Sequence, residues 1–121
     1  MAGQTFGAYI RRKRLTLREE KLDYSLRRVA LAVELEPSFL SKVERELVPP
    51  PSEAKIKALA RVLNEDPDIL LALAGKISTD LHDAIRKRPQ QFAELIRMLK
   101  NTPDAEMSGM VRETRAKYGR E

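Results

Sequence analysis

The chain has 121 residues, with 23 lysines and arginines against 18 acidic residues and a formal net charge of +5. That length holds one compact domain, or a small domain with an appendage, and excludes a large multidomain enzyme. The lack of cysteine excludes a disulfide framework, a thiolate metal site and a cysteine nucleophile, while the basic balance implies an anionic partner, with nucleic acid ahead of a membrane surface.

The longest apolar stretch, at residues 69–74, is far shorter than the roughly 20 residues of a membrane span, and the first residues are too polar for a secretion signal. No segment alternates apolar and polar residues over the length of a strand, so the chain is expected to be all-α. A first helix is predicted over residues 5–17, with Phe6, Tyr9, Ile10 and the aliphatic stem of Lys13 facing inward. Arg11, Arg12, Lys13 and Arg14 form a basic run along it, followed by a polar stretch at residues 18–23. Ser25 is a good N-cap for a short second helix carrying Leu26, Val29, Ala30 and Val33. Glu34, Leu35 and Glu36 break its period, and Pro37 suits the first position of a third helix with Leu40, Val43 and Leu47 inward.

Prolines 49, 50 and 51 make a stiff connector to Ser52, the cap of a fourth helix whose Ile56, Leu59, Ala60 and Leu63 repeat at helical spacing until Asn64 ends it. Asp66, Pro67 and Asp68 open a fifth helix that stops at Gly75, where a left-handed conformation is expected. Beyond Gly75 three more helices are predicted. One starts at Ser78 or Thr79 and runs to Arg88, one opens at Pro89 with Phe92, Leu95, Ile96 and Leu99, and one opens at Pro103 with Met107, Met110 and Val111. Residues 117–121 read as a frayed tail. The expected division is a five-helix domain over residues 1–75 and a helical extension over residues 76–121.

Two short helices joined by a tight turn, inside a small helical domain, are the arrangement that places one helix in the DNA major groove. Counting Leu26 as the first position of a unit of about twenty residues, positions 4, 8, 10, 15 and 18 fall on Val29, Val33, Leu35, Leu40 and Val43, all aliphatic. Position 5, where the helices cross closely, is Ala30. The stretch SLRRVALAVELEPSFLSKVERE from Ser25 to Glu46, and above all PSFLSKVER from Pro37 to Arg45, resembles the helix-turn-helix of the phage-repressor-like family, the Cro/cI or XRE type. The resemblance extends over residues 5–75. Glu34 and Glu46 stand where this family usually has glycine, Glu36 stands where it usually has a serine or threonine cap, and the segment before Ser25 is longer than typical.

The resemblance implies a phage-repressor-like domain whose third helix reads base edges. With Leu40, Val43 and Leu47 inward, the opposite face presents Pro37, Ser38, Ser41, Lys42 and Arg45. Lys42 suits guanine O6 or N7, Ser38 and Ser41 suit either a base edge or a phosphate, and Arg45 suits the backbone. Phe39 lies between the faces, open to core packing or to a thymine methyl. Ser25 and Arg27, at the start of the second helix, suit phosphate. Arg11 and Arg14 supply non-specific electrostatic grip. Glu44 corresponds to a family position that pairs with a basic residue of the first helix, here Arg12 or Arg14, in a structural role.

His82, flanked by Asp80 and Asp83, has no second strong ligand on its face, and no nucleophile and base or glycine-rich phosphate loop is visible. No enzymatic activity, cofactor or metal is therefore expected. The resemblance implies a cytoplasmic, bacterial, nucleoid-associated regulator of transcription, a dimeric repressor that occludes a promoter, its own included. The weaker likeness of LLALAGKISTDL from Leu70 and RPQQFAELIR from Arg88 is to family members carried on mobile elements or prophages beside a regulatory peptidase. The apolar residues after Gly75 leave three roles open: dimerisation, completion of the monomer core, or binding of a protein partner, either that peptidase or the toxin of a toxin–antitoxin pair.

Overall fold

A computed structural model describes residues 4–20 and 22–119. Among these the chain is helical without a strand, with eight α-helices and a single 3-10 turn, the all-α class that the sequence pattern predicts. It divides into two compact units, the first ending at Thr79 and the second beginning at Asp80.

The first unit contains α1 (Phe6–Glu20), the 3-10 turn (Leu22–Tyr24), α2 (Leu26–Ala32), α3 (Pro37–Glu44), α4 (Glu53–Val62) and α5 (Pro67–Leu73). Side chains close by in sequence start three of them. Ser25 Oγ accepts the Arg28 N–H at 3.2 Å, Ser52 Oγ accepts the Lys55 N–H at 3.3 Å, and the Asp66 carboxylate accepts the Asp68 N–H at 2.8 Å. Glu36 gives α3 no side-chain cap, but Pro37 at its first position removes one N–H that would need a partner.

The ends of α2 to α5 share one geometry. Glu34, Glu46, Asn64 and Gly75 follow these helices with φ of 58°, 63°, 60° and 74°. The next residue then sends its N–H back into the last turn, Leu35 to Ala30, Leu47 to Lys42, Glu65 to Ala60 and Lys76 to Leu71, at 2.8–2.9 Å. These are Schellman closures. Only glycine adopts the left-handed position freely; an ordinary L-residue costs on the order of 1 kcal/mol there.

One core joins these helices, with Phe6 and Ile10 from α1, Val29 and Ala30 from α2, Leu40 and Val43 from α3, Ile56 and Leu59 from α4, and Leu70 and Leu71 from α5. Each large aliphatic residue buried this way contributes about 1.5–3 kcal/mol. Two expectations are corrected. Helix α1 runs past residue 17 to Glu20, because its polar last turn contains no breaker and needs no apolar face. Leu47 is 62% exposed, since left-handed Glu46 turns the chain off the α3 axis before the spacing from Val43 can bring Leu47 inward.

The chain stays attached to the first unit beyond Gly75. Lys76 Nζ donates to the Pro51 carbonyl at 3.2 Å, Ser78 is buried, and Thr79 donates its N–H and hydroxyl to the Glu53 carboxylate at 3.2 and 2.9 Å. Lys57 Nζ lies 3.0 Å from the same carboxylate. Lys57 and Thr79 together hold the Glu53 carboxyl down to about 2.

Then follow α6 (Thr79–Lys87), α7 (Pro89–Leu99) and α8 (Asp104–Tyr118). None of their residues is buried. The expected frayed tail is instead helical through Tyr118, and residues 120 and 121 lie outside the described residues. No helix among the described residues is long and apolar enough to cross a membrane.

Candidate nucleic-acid interface

The outward face of α3 is useful only if the helix is held rigidly, and four kinds of contact hold it. Leu40 and Val43 enter the core. At the far end the backbone of α1 passes so close that a Cβ on Gly7 would lie 2.2 Å from the Val43 carbonyl and 3.0 Å from that of Glu44. Beside it, Arg14 grips Glu44 with two parallel bonds, Nε to Oε2 at 2.8 Å and Nη2 to Oε1 at 2.9 Å, and its Nη1 donates to the Tyr24 carbonyl at 3.2 Å. Both side chains are almost fully buried, at 6% and 4% exposure, so each charge depends on the other.

The fourth anchor sits at the turn between α2 and α3. Lys55 Nζ, from α4, donates to the Val33 carbonyl at 2.8 Å and to the Glu34 carbonyl at 3.2 Å. A cation at the negative end of α2 satisfies carbonyls that the helix leaves open. It also fixes the residue that takes the left-handed conformation in place of glycine. Just past the C-terminal end of α3, outside these four anchors, the Thr5 hydroxyl donates to the carboxylate of the second left-handed glutamate, Glu46.

Held in this way, α3 exposes Ser38, Lys42 and Arg45, with Pro37 and Ser41 half-buried at the edges of the face. Ser41 and Arg45 act together, since Arg45 Nε donates to Ser41 Oγ at 3.2 Å. Phe39 is half-buried and packed against the core. Ser25 uses its oxygen as the α2 cap, and Arg27 beside it is exposed. Arg11 is also exposed, and with Arg12 and Arg45 it lines a groove of about 530 Å³ where α1 passes the end of α3. The Arg12 guanidinium lies over the Tyr9 ring, 5.4 Å from its centre. The Tyr9 hydroxyl donates to the Glu65 carboxylate, which raises the tyrosine pKa and, with the Asp66 N–H, lowers that of Glu65.

Arg14 is a correction. Read as part of a gripping basic run, it is only 5% exposed, and the Glu44 carboxylate and the Tyr24 carbonyl occupy its guanidinium. The expected pairing of Glu44 with α1 is made by this residue. Gly7 and Lys55 were not singled out as site residues by their sequence context. The only sequence signal for Gly7 is a glycine facing inward near the start of a helix. Lys55 carries none, because its carbonyl partners lie 21 and 22 residues away.

A family model described as helix-turn-helix matches residues 16–70, from the second half of α1 into α5. No curated protein and no solved structure matches the chain. The matched stretch contains α2, the left-handed turn at Glu34, α3 and the α4 lysine that clamps that turn. Residues 16–70 are therefore a helix-turn-helix domain of the Cro/cI (XRE) type, a DNA-binding regulatory fold.

Proposed function

We propose that this protein is a sequence-specific repressor of transcription that binds as a dimer and occludes a promoter, its own included. The observation that carries this reading is the polar face of α3. Ser38, Lys42 and Arg45 are exposed on a helix anchored by a buried ion pair, a close backbone approach and a clamped turn. In this reading Lys42 donates to a guanine edge, Ser38 contacts a base or phosphate, and Ser41 sets the direction of Arg45 toward the backbone. Arg11 and Arg27 contact flanking phosphates. No chemistry is involved; repression follows from occupancy.

Selection of bound duplexes from a random pool tests the reading, and the expected product is an inverted repeat with half-sites about one helical turn apart. On variants of that site, Lys42→Ala is expected to lose about 1–3 kcal/mol at one base position. Arg11→Ala should weaken all sequences alike and reduce the salt slope by about 0.9. A pool from which nothing is enriched at low salt would remove sequence-specific binding. An unaltered base preference in Lys42→Ala would take Lys42 out of the readout.

A further inference from the structure

We propose that the apolar cleft between α7 and α8 is filled by the same hairpin of a second copy of this chain, with the two α8 helices antiparallel. This rests on the dimeric reading above and names the surface that joins the copies. Leu95 and Leu99 of α7 and Met107, Met110, Val111 and Tyr118 of α8 line a cleft of about 840 Å³. Leu95, Met110, Val111 and Tyr118 are 42–73% exposed. Helices of 11 and 15 residues are marginal alone in water and draw their stability from a covered face, and these apolar residues are still largely exposed.

The charge pattern of α8 selects the occupant. Its first turn carries Asp104 and Glu106 and its last turn Arg115 and Lys117, with Met107, Met110, Val111 and Thr114 on one helical row between them. Laid parallel, two such helices bring like charges together at both ends. Laid antiparallel, each acidic first turn meets a basic last turn while the apolar rows face each other. The surface is thus complementary to itself, as a two-fold interface requires. A membrane surface fits less well, because anionic lipid favours basic residues along the whole polar flank, whereas one end of α8 is acidic.

Two charge-swapped full-length variants test this, Asp104→Lys with Glu106→Lys and Arg115→Glu with Lys117→Glu. Association is measured by sedimentation without DNA. The unaltered chain is expected to be a dimer, each variant alone to have a dissociation constant raised about 30-fold or more, and an equimolar mixture of the two to recover both the dimer and its helical circular dichroism. Because the mixture restores complementarity, recovery there separates a lost interface from a lost fold. Since the chain has no native cysteine, orientation can be read from single substitutions: Val111→Cys should cross-link to its copy on oxidation, and Asp104→Cys should not. An unaltered chain that stays monomeric at about 100 μM overturns the proposal, whether or not a different protein then occupies the cleft. So does a dimer indifferent to both swaps, or one that cross-links readily through Asp104→Cys. Operator selection is a separate measurement. A monomer that still enriches single half-sites sinks this interface and the dimeric part of the reading but leaves sequence-specific binding standing, a dimer that enriches an inverted repeat yet ignores both swaps sinks this interface alone, and a dimer that enriches no duplex sinks the DNA reading alone.

Discussion

Arg14 follows Ile10 by one helical turn, and that spacing carries it into the core while Arg11 and Arg12 stay outside. The phase of the charge run is therefore legible in the sequence, since Arg14 alone of the four basic residues shares the inward row of Ile10. The partner, by contrast, is 30 residues away, and only the family resemblance pointed to Glu44. Removing one member of a buried pair leaves an uncompensated charge, so Glu44→Ala is expected to cost about 3–5 kcal/mol in urea denaturation. Replacing both residues with Met at 14 and Leu at 44 should recover most of that and leave the salt slope of DNA binding unchanged, unlike Arg11→Ala. If Arg14 gripped phosphate, the double variant would lose slope. At Gly7 the obstacle to a larger side chain is the Val43 carbonyl oxygen, which cannot rotate away. Gly7→Ala should cost near the top of the usual overpacking range of about 1–3 kcal/mol and weaken DNA binding, because the end of α3 must move.

Helix starts and helix ends differed in legibility. Ser25, Ser52 and Asp66 cap residues two or three positions further on, so each start can be read from a few neighbouring letters. The ends of α2 and α3 depend on glutamates in a conformation that favours glycine, and only comparison with the family pattern marked them as unusual. What makes the α2 end tolerable is Lys55, whose contact joins two helices and is invisible to local reading. Glu34→Gly is expected to stabilise the domain by about 1 kcal/mol, less the extra chain entropy of an unfolded glycine. The corresponding rise of several degrees in the thermal midpoint would be measured by calorimetry. Lys55→Met should lower the midpoint, since it leaves the Val33 and Glu34 carbonyls without their donor. No gain from Glu34→Gly would mean that the turn carries no left-handed strain.

Across the whole molecule, charge and core are distributed unevenly. Residues 1–21 hold six bases against two acids, while residues 22–47, which include α2 and α3, hold four against five. The positive surplus therefore lies around α1, and the stretch that holds α3 is close to neutral; under the proposed function α3 would have to select its site through a few side chains rather than through bulk charge. Among the described residues the buried apolar ones all lie between Phe6 and Leu71, so a fragment ending at Thr79 contains that core and is expected to unfold as one cooperative unit in urea. A fragment ending at Gly75 keeps the same core but loses the Lys76 bond to the Pro51 carbonyl, buried Ser78 and both Thr79 bonds to Glu53. Its urea midpoint should be lower at neutral pH. The difference should also depend on acidity, because the Thr79 bonds missing from the shorter fragment join Lys57, present in both, in holding the Glu53 carboxyl at about 2 against an ordinary 4.5. A depressed carboxylate pKa gives stability that is fully present above the unfolded value and is lost as pH falls through the folded one. The Glu53 share of the gap between the fragments should therefore hold above about pH 4.5 and disappear toward pH 2, and Glu53→Gln should remove that pH dependence. Equal midpoints for the two fragments at pH 7 would show that residues 76–79 add nothing to the unit.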